Sequence, residues 1–343
     1  MLGESGVLDQ LGTMSRARNL QVAERLDHVR PLLADDLAAV EAALAIPDRE
    51  RAVHRSAEHL LGRGGKRLRP ICVALTSKLG TGFGPRALDL AVAVELVHNA
   101  TLLHDDVVDL GASRRGAPTA RVVYGNAISI FAGDWLLIDA LRRVRRSSSA
   151  DVLERLLDAI DEMIVAESKQ LERRGQLSIA LEDWMSVAAG KTAALFRWAM
   201  YAGARAGGLT EAQALALEAF GQHVGLAFQA IDDVLDLAGN ASVTGKALFA
   251  DLREGKASLP IVLALRARPE LEASLRAVAE GGLDDEAGAR LAKEIATTGA
   301  LDEARRFADT EVANAIRLLD AFEASPARTA LVGIAHAMTA REL

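Results

Sequence analysis

The most restrictive feature of the sequence is a pair of acidic clusters, each embedded in a long apolar run. In the first, HDDVVD, Asp105 and Asp109 are four residues apart, with Asp106 between them. On a helix, side chains at this spacing share one face, about 5–6 Å apart at Cβ. The spacing recurs much later in the chain, at Asp232, Asp233 and Asp236. We therefore predict two helices that face each other across one acid-lined cavity.

Neither cluster carries its own counter-charge, because no Lys or Arg occurs within residues 87–113 or within residues 206–245. Carboxylates placed in this way repel each other unless a cation lies between them. Mg²⁺ suits this role, since proteins bind it through a few carboxylates together with water and substrate phosphates. One cluster alone is also typical of a solvated acidic helix end, but the repetition favours a metal site.

Basic segments suited to phosphate accompany the acidic clusters. Residues 62–70 read GRGGKRLRP, in which glycines let the backbone approach a ligand and Lys66, Arg67 and Arg69 add positive charge. The apolar helix that follows adds the favourable dipole of its N-terminus. Arg114 and Arg115 follow the first cluster, and guanidinium groups bind phosphate oxygens in a bidentate way. Taken alone, residues 62–70 are also compatible with an ordinary basic turn between helices.

A polar, glycine-punctuated segment follows the second acidic cluster. It covers residues 239–255, and Lys246 and Lys256 lie near its two ends. Segments of this kind are typical of lids, so we predict that it closes its lysines over bound phosphates.

Composition predicts an all-α chain. Half of the 343 residues are hydrophobic but only 4% are aromatic, and the predominant Ala and Leu are strong helix formers. Helical spacing of apolar residues begins near residue 20, and one of the amphipathic helices it predicts covers residues 182–200. No break in composition divides the chain. We therefore predict a loose arm over residues 1–19 and a single helical domain over residues 20–343.

Several classes of protein are disfavoured. The net charge of −7 argues against a nucleic-acid partner, and the single cysteine, Cys72, excludes an intramolecular disulfide. No signal peptide or apolar run of about twenty residues is evident, which predicts a soluble cytoplasmic protein. Four arginines within residues 142–146 are typical of a solvated helix C-terminus but also suit acidic lipid, so we expect at most peripheral membrane contact.

In this order and spacing, the motifs resemble those of the trans-isoprenyl diphosphate synthases, the polyprenyl synthetase family. The resemblance covers about residues 60–260. It implies an isoprenoid-synthase-type helical bundle around a central cavity, and a homodimer. The matching segments are GGKRLRP, HDDVVD, RRGAPT, the pair Gly133–Asp134, Glu167 with Gln170, KTAALF, FQAIDDVLD and GKASLP.

The resemblance also implies a role for each matching residue. Three Mg²⁺ ions would be bound by Asp105, Asp109 and Asp232, with Asp106, Asp233 and Asp236 in support. The allylic diphosphate would contact Arg114, Lys191 and Lys246. Isopentenyl diphosphate would be held by Gly65, Lys66, Arg69, His98 and Arg115. Thr192 and Gln229 would flank the reacting carbons, with Phe228 also binding substrate, and Lys256 would close the lid.

The implied reaction begins with rupture of an allylic C–O bond, while Mg²⁺ and cationic side chains neutralise the departing pyrophosphate. The double bond of isopentenyl diphosphate attacks the carbocation, and the pyrophosphate takes the proton that is then lost. A terpene cyclase is an alternative, but it would not need Lys66 and Arg69 for a second diphosphate. A regulatory subunit of a heteromeric synthase is another, although such subunits typically lose an acidic motif.

Product length depends on the residues that precede the first cluster. Short-chain members of the family commonly have an aromatic floor one helical turn before Asp105, where this chain has Ala100 and Thr101. We therefore predict a medium- or long-chain product, with a farnesyl or geranylgeranyl product as the alternative. A floor from another helix stays open, and the candidates for it are Trp198, Phe131 and Trp135. The lid departs from the family pattern, with Ala247 and Phe249 where Pro and Gly are usual.

Overall fold

The computed structural model describes residues 20–46, 48–114, 116–238, 249–281 and 285–340. The first seven helices are α1 (Leu20–Leu44), α2 (Ala52–Leu61), α3 (Leu68–Ser77), α4 (Pro85–Val108), α5 (Ala120–Tyr124), α6 (Asn126–Ser147) and α7 (Ala150–Glu172). Those that follow are α8 (Leu181–Ala188), α9 (Ala194–Ala206), α10 (Glu211–Ala238), α11 (Ala250–Arg253), α12 (Leu259–Ala267), α13 (Glu272–Ala279), α14 (Asp285–Thr297), α15 (Ala300–Leu318) and α16 (Pro326–Thr339). The predicted all-α class is confirmed.

Helix α4 lies at the centre because it is apolar on every face, and a helix of that kind is stable only when all of its faces are buried. Every residue from Ala91 to Val97 is buried. The helix contacts α1, α2, α3, α5, α6 and α9. The first acidic cluster therefore lies at the C-terminal end of a helix that its neighbours hold in place.

The helix predicted over residues 182–200 is present, but a π-helical turn, Ala189–Ala193, lies within it between α8 and α9. Such turns contain one extra residue and occur often at functional sites. Two glycines allow close packing around this turn. A Cβ at Gly190 would lie 2.7 Å from the Cβ of Ala166 in α7, and a Cβ at Gly225 would lie 2.5 Å from the Cα of Ala193. The turn is therefore fixed against both α7 and α10.

A short hairpin follows α4 and was not predicted. Its strands β1 (Ser113–Arg114) and β2 (Ala117–Pro118) pair antiparallel, and the hydroxyl of Thr119 donates to the carbonyl oxygen of Gly111 over 2.7 Å. The hairpin folds back on the end of α4 and brings Arg114 beside the first acidic cluster. None of the helices in the described ranges is both long and apolar enough to cross a membrane.

Candidate active site

A cavity of about 1520 Å³ opens between α4, α6, α7, α9 and α10 and is bordered by residues 62–69. The two acidic clusters meet across it, as predicted from their spacing. The predicted site residues that line it are Gly65, Lys66, Arg69, His98, Asp105, Asp109, Arg114, Lys191, Thr192, Phe228, Gln229 and Asp232. Arg115 and Lys246, with most of the predicted lid, lie outside the described residues.

The carboxylates of the first cluster have different environments. Asp105 and Asp109 face the cavity, whereas Asp106 is buried behind them and accepts a hydrogen bond from Nε of Arg114 over 2.8 Å. Burial raises the pKa of Asp105 to about 6, and the carboxylate of Glu167 adds to the effect. Burial also raises the pKa of Asp106, against the opposing charge of Arg114. Asp105 therefore lies where further positive charge is favourable.

Counter-charge reaches the first cluster from distant parts of the chain. Nζ of Lys256 donates to Oδ2 of Asp109 over 2.7 Å, and Arg174 forms an ion pair with the same carboxylate. Burial alone would raise the pKa of Asp109, but Lys256 and Arg174 hold it below its usual value. Lys191 forms an ion pair with Glu167 and lines the same cavity as the two acidic clusters. The absence of local counter-charge in the sequence is thus compensated by tertiary contacts.

In the second cluster only Asp232 faces the main cavity. Asp236 is buried, and its carboxylate accepts the N–H of Asp251 over 3.4 Å. Asp233 is buried as well, and burial raises its pKa to about 7, with the nearby charge of Asp251 contributing. Asp106, Asp233 and Asp236 are therefore buried and do not line the main cavity.

The cavity-facing carboxylates fit a hard divalent cation. Asp105, Asp109 and Asp232 line the cavity with carboxylate oxygens, which are the ligands that hard divalent cations prefer. Within the described ranges, no group of three or more His, Cys, Asp or Glu side chains is close enough to enclose an ion. This arrangement suits Mg²⁺, which retains several water ligands and binds jointly with substrate phosphates.

The arginines of the cavity's basic wall, residues 62–69, differ in environment: one is buried in ion pairs, and another faces the cavity. Arg67 is buried in ion pairs with Glu41 and Glu95, each at 2.6 Å. Its neighbour Arg69 lines the cavity, stacks its guanidinium 4.5 Å above the ring of Phe196 and leaves a buried Nε without a hydrogen-bond partner in the described structure. Because buried donors are normally satisfied, this nitrogen is suited to an anionic ligand.

Beyond the charged groups the cavity becomes apolar. This part is lined by Val97, Ala100 and Thr101 of α4, Leu137 of α6, and Ile160 and Met163 of α7. None of the three aromatic candidates for a floor lies on the cavity wall. The indole of Trp198 donates to the carbonyl oxygen of Val152 over 2.9 Å, Phe131 is 57% exposed, and the Trp135 ring lies 4.7 Å from that of His54.

Sequence reasoning missed the roles of Arg174 and Trp184. Arg174 follows α7 in a short RRG run that has no distinctive spacing, so nothing in the sequence marks it as a partner of Asp109. Trp184 is buried in α8, and its indole nitrogen donates to Oδ2 of Asp233 over 2.8 Å. Helical periodicity marks it only as a core residue.

Comparisons with known proteins agree with this geometry. A family model described as polyprenyl synthetase matches residues 50–295. The octaprenyl diphosphate synthase of Escherichia coli (strain K12) is 32% identical over 320 residues, covering 92% of this chain and 99% of that protein. Component 2 of the heptaprenyl diphosphate synthase of Geobacillus stearothermophilus is 33% identical over 314 residues, covering 91% and 97%.

A solved structure is similar over nearly the whole chain. It is the polyprenyl synthase of Caulobacter crescentus CB15, complexed with calcium and isoprenyl diphosphate, and it superposes with a TM-score of 0.84 at 34% identity. The superposition covers 92% of this chain and 97% of that one.

Proposed function

The chain belongs to the polyprenyl synthetase family and is a prenyl-transferring enzyme, and from this premise we propose how its cavity joins isopentenyl diphosphate head to tail to an allylic diphosphate. The product is a medium- or long-chain all-trans polyprenyl diphosphate. The observation that carries the proposal is the meeting of two acidic clusters, a basic wall and an apolar extension in one cavity.

The allylic diphosphate binds at the acidic end of the cavity. Asp105, Asp109 and Asp232 would hold magnesium ions there, three in number by analogy with the family, and bound ions would supply positive charge against the departing pyrophosphate. Lys191 and Arg114 border the same space and contact the diphosphate oxygens. Lys256 already pairs with Asp109, so it is close enough to join them.

Isopentenyl diphosphate binds on the basic wall, where Gly65, Lys66, Arg69 and His98 line the cavity. The unpartnered Nε of Arg69 supports this assignment. The double bond of isopentenyl diphosphate then faces the allylic carbon beside Thr192, Gln229 and Phe228. Loss of pyrophosphate leaves an allylic cation, the double bond forms the new C–C bond, and the departing pyrophosphate accepts the proton that is lost.

Chain growth continues along α4 toward Ala100 and Val97. One helical turn is about 5.4 Å, close to the length of one isoprene unit, so several units fit along this helix. No described aromatic side chain closes that path, and Phe228, the aromatic residue on the wall, lies next to Gln229 at the reacting end. The apolar lining also excludes water, which would quench the cation.

The first experiment is an incubation of pure protein with Mg²⁺, labelled isopentenyl diphosphate and, in separate reactions, dimethylallyl, geranyl, farnesyl or geranylgeranyl diphosphate. We expect a ladder of all-trans products ending at about six or more isoprene units. A stop at about three or four units would retain the enzyme class and contradict the open path. Metal binding without elongation of any primer would contradict the proposal and favour a cyclase or a subunit that needs a partner.

We also propose that the enzyme is a homodimer assembled through α6 and α7. Exposed apolar side chains mark this face, among them Phe131 at 57%, Leu157 at 48% and Val165 at 57% exposure. Exposed arginines at the end of α6 and exposed acids along α7 give the face both signs of charge. A two-fold interface pairs a surface with itself, so a surface carrying both signs can match a second copy.

Sedimentation equilibrium of the pure protein tests this assembly. We expect the mass of two chains for the wild type and of one chain for Phe131→Glu, because a buried unpaired carboxylate is costly. Leu215→Glu is the matched control, since Leu215 is 42% exposed on α10, and it should stay dimeric. A monomeric wild type would contradict the homodimer and leave this face to a different subunit.

A further inference from the structure

We propose that Asp233 and Trp184 are positioning residues that fix the direction of the Gln229 amide, so that its oxygen and the lone pairs of Thr192 face the cavity. The inference rests on the proposed function, because it assumes that positive charge develops on carbons beside these two side chains. Neither Asp233 nor Trp184 lines the main cavity, whereas Thr192 and Gln229 do.

The direction of this series of hydrogen bonds is set by two N–H groups, which can donate a hydrogen bond but cannot accept one. The indole nitrogen of Trp184 donates to Oδ2 of Asp233 over 2.8 Å, and the backbone N–H of Leu259 donates to the same oxygen over 2.8 Å. Neither donor can reverse its role, and an ionised carboxylate can only accept. These two bonds therefore hold Asp233 as an acceptor with Oδ1 turned toward Gln229.

Asp233 then determines how the amide of Gln229 is turned. Nε2 of Gln229 donates to Oδ1 of Asp233 over 2.7 Å. The opposite orientation would place the amide oxygen against a carboxylate oxygen, two acceptors in contact. The NH₂ group is thus directed away from the cavity, and Oε1 is directed toward Thr192.

The hydroxyl of Thr192 completes the series by donating to Oε1 of Gln229 over 2.6 Å. Its single proton is used in this bond, so only its lone pairs remain for the cavity. In the hydrogen-bond series from Thr192 through Gln229 to Asp233, each dipole has its negative end toward the reacting carbons. An allylic cation is stabilised by this polarity, which is fixed before any substrate binds.

The test compares variants in the full-length enzyme with Mg²⁺ at pH 8. We expect Asp233→Asn to lower kcat by about 10²-fold and Trp184→Phe by about tenfold, with KM for both substrates nearly unchanged. An asparagine at 233 can donate as well as accept, so the Gln229 amide is free to turn its NH₂ group toward the cation.

A second readout isolates the charge effect. In the presence of Mg²⁺ and inorganic pyrophosphate, affinity is measured for an ammonium analogue, with nitrogen at the cationic carbon, and for its neutral isostere. We expect the wild type to prefer the charged analogue and both variants to lose that preference. Trp198→Phe is the matched control, because its indole donates to the carbonyl oxygen of Val152 outside the cavity, and it should behave as the wild type.

The outcomes separate the two proposals. Equal weakening for charged and neutral analogues, or the same loss of kcat in Trp198→Phe, would show a merely structural role and overturn the inference. Failure of the wild type to elongate any primer would instead contradict the proposed function. If the buried Asp233→Asn variant does not fold, Trp184→Phe alone still tests the inference, because it too is expected to lose the preference for the charged analogue.

Discussion

Replacing Asp105 by asparagine is expected to lower the elongation rate by about 10³-fold while leaving the fold intact. The carboxylate faces the cavity, and the amide that replaces it has one poor oxygen ligand and no charge for a divalent cation. Loss of one electrostatic contact to a departing anion costs about 10²–10³ in rate, and weakened metal binding adds to it. Rates at saturating substrate over a range of Mg²⁺ concentrations measure the effect.

The same substitution should not lower stability. The pKa of Asp105 is raised to about 6 by burial and by Glu167, so the folded state binds this proton more tightly than the unfolded chain does. Without metal, this group therefore stabilises the wild type increasingly as pH falls from about 7 to about 4. Asp105→Asn removes that pH dependence and the cost of the buried charge, which thermal unfolding in chelator at pH 7 and pH 5 will detect.

The matched control is Asp309→Asn, a substitution of an exposed aspartate on α15. It makes the same chemical change far from the cavity and should leave the rate unchanged. An Asp105→Asn enzyme that keeps more than about a tenth of wild-type activity would contradict the metal-binding role, since the expected loss is at least 10²-fold.

Replacing Ala100 by phenylalanine is expected to shorten the main product from about six or more isoprene units to about three or four. Ala100 lines the cavity one turn before Asp105, so a phenyl ring at this position closes the apolar path beneath the reacting end. The allylic primer still binds above the ring, so the rate of the first condensations should change little. Chromatography of the dephosphorylated products measures the change.

The effect should depend on position along α4. Val97 also lines the cavity and lies three residues further from the acidic cluster, which is about 4.5 Å or nearly one isoprene unit. Val97→Phe should therefore stop about one unit later than Ala100→Phe. Leu96→Phe is the control, because Leu96 is buried in the same helix but is not on the cavity wall. Equal products from all three variants would contradict a path along this face.

Sequence reasoning located the acidic face of the site because helical periodicity is local. The four-residue spacing in each cluster fixes which carboxylates share a face, and the structure brings Asp105 and Asp232 to one cavity. Arg67 shows the limit of that reasoning. Within GGKRLRP it cannot be distinguished from its basic neighbours, and its structural role follows from Glu41 and Glu95, which α1 and α4 bring to it.

The counter-charges and the supporting contacts could not be predicted for the same reason. Lys256 is 147 residues from Asp109 along the chain, and Trp184 is 49 residues from Asp233. No periodicity relates residues so far apart. The π-helical turn at Lys191 and Thr192 also leaves no sequence signal, because KTAALF is compatible with a regular helix and only packing against α7 and α10 widens it.

That packing bears on how the proposed active site responds to charge. Since Gly190 and Gly225 bring the turn against the backbones of α7 and α10, the segment that carries Lys191 and Thr192 has little room to move. Water around an ion must reorient as charge grows, at a cost in free energy, whereas dipoles on a rigid frame are already aligned. We therefore expect the two glycines, which do not line the cavity, to lower the reorganisation energy of the proposed reaction.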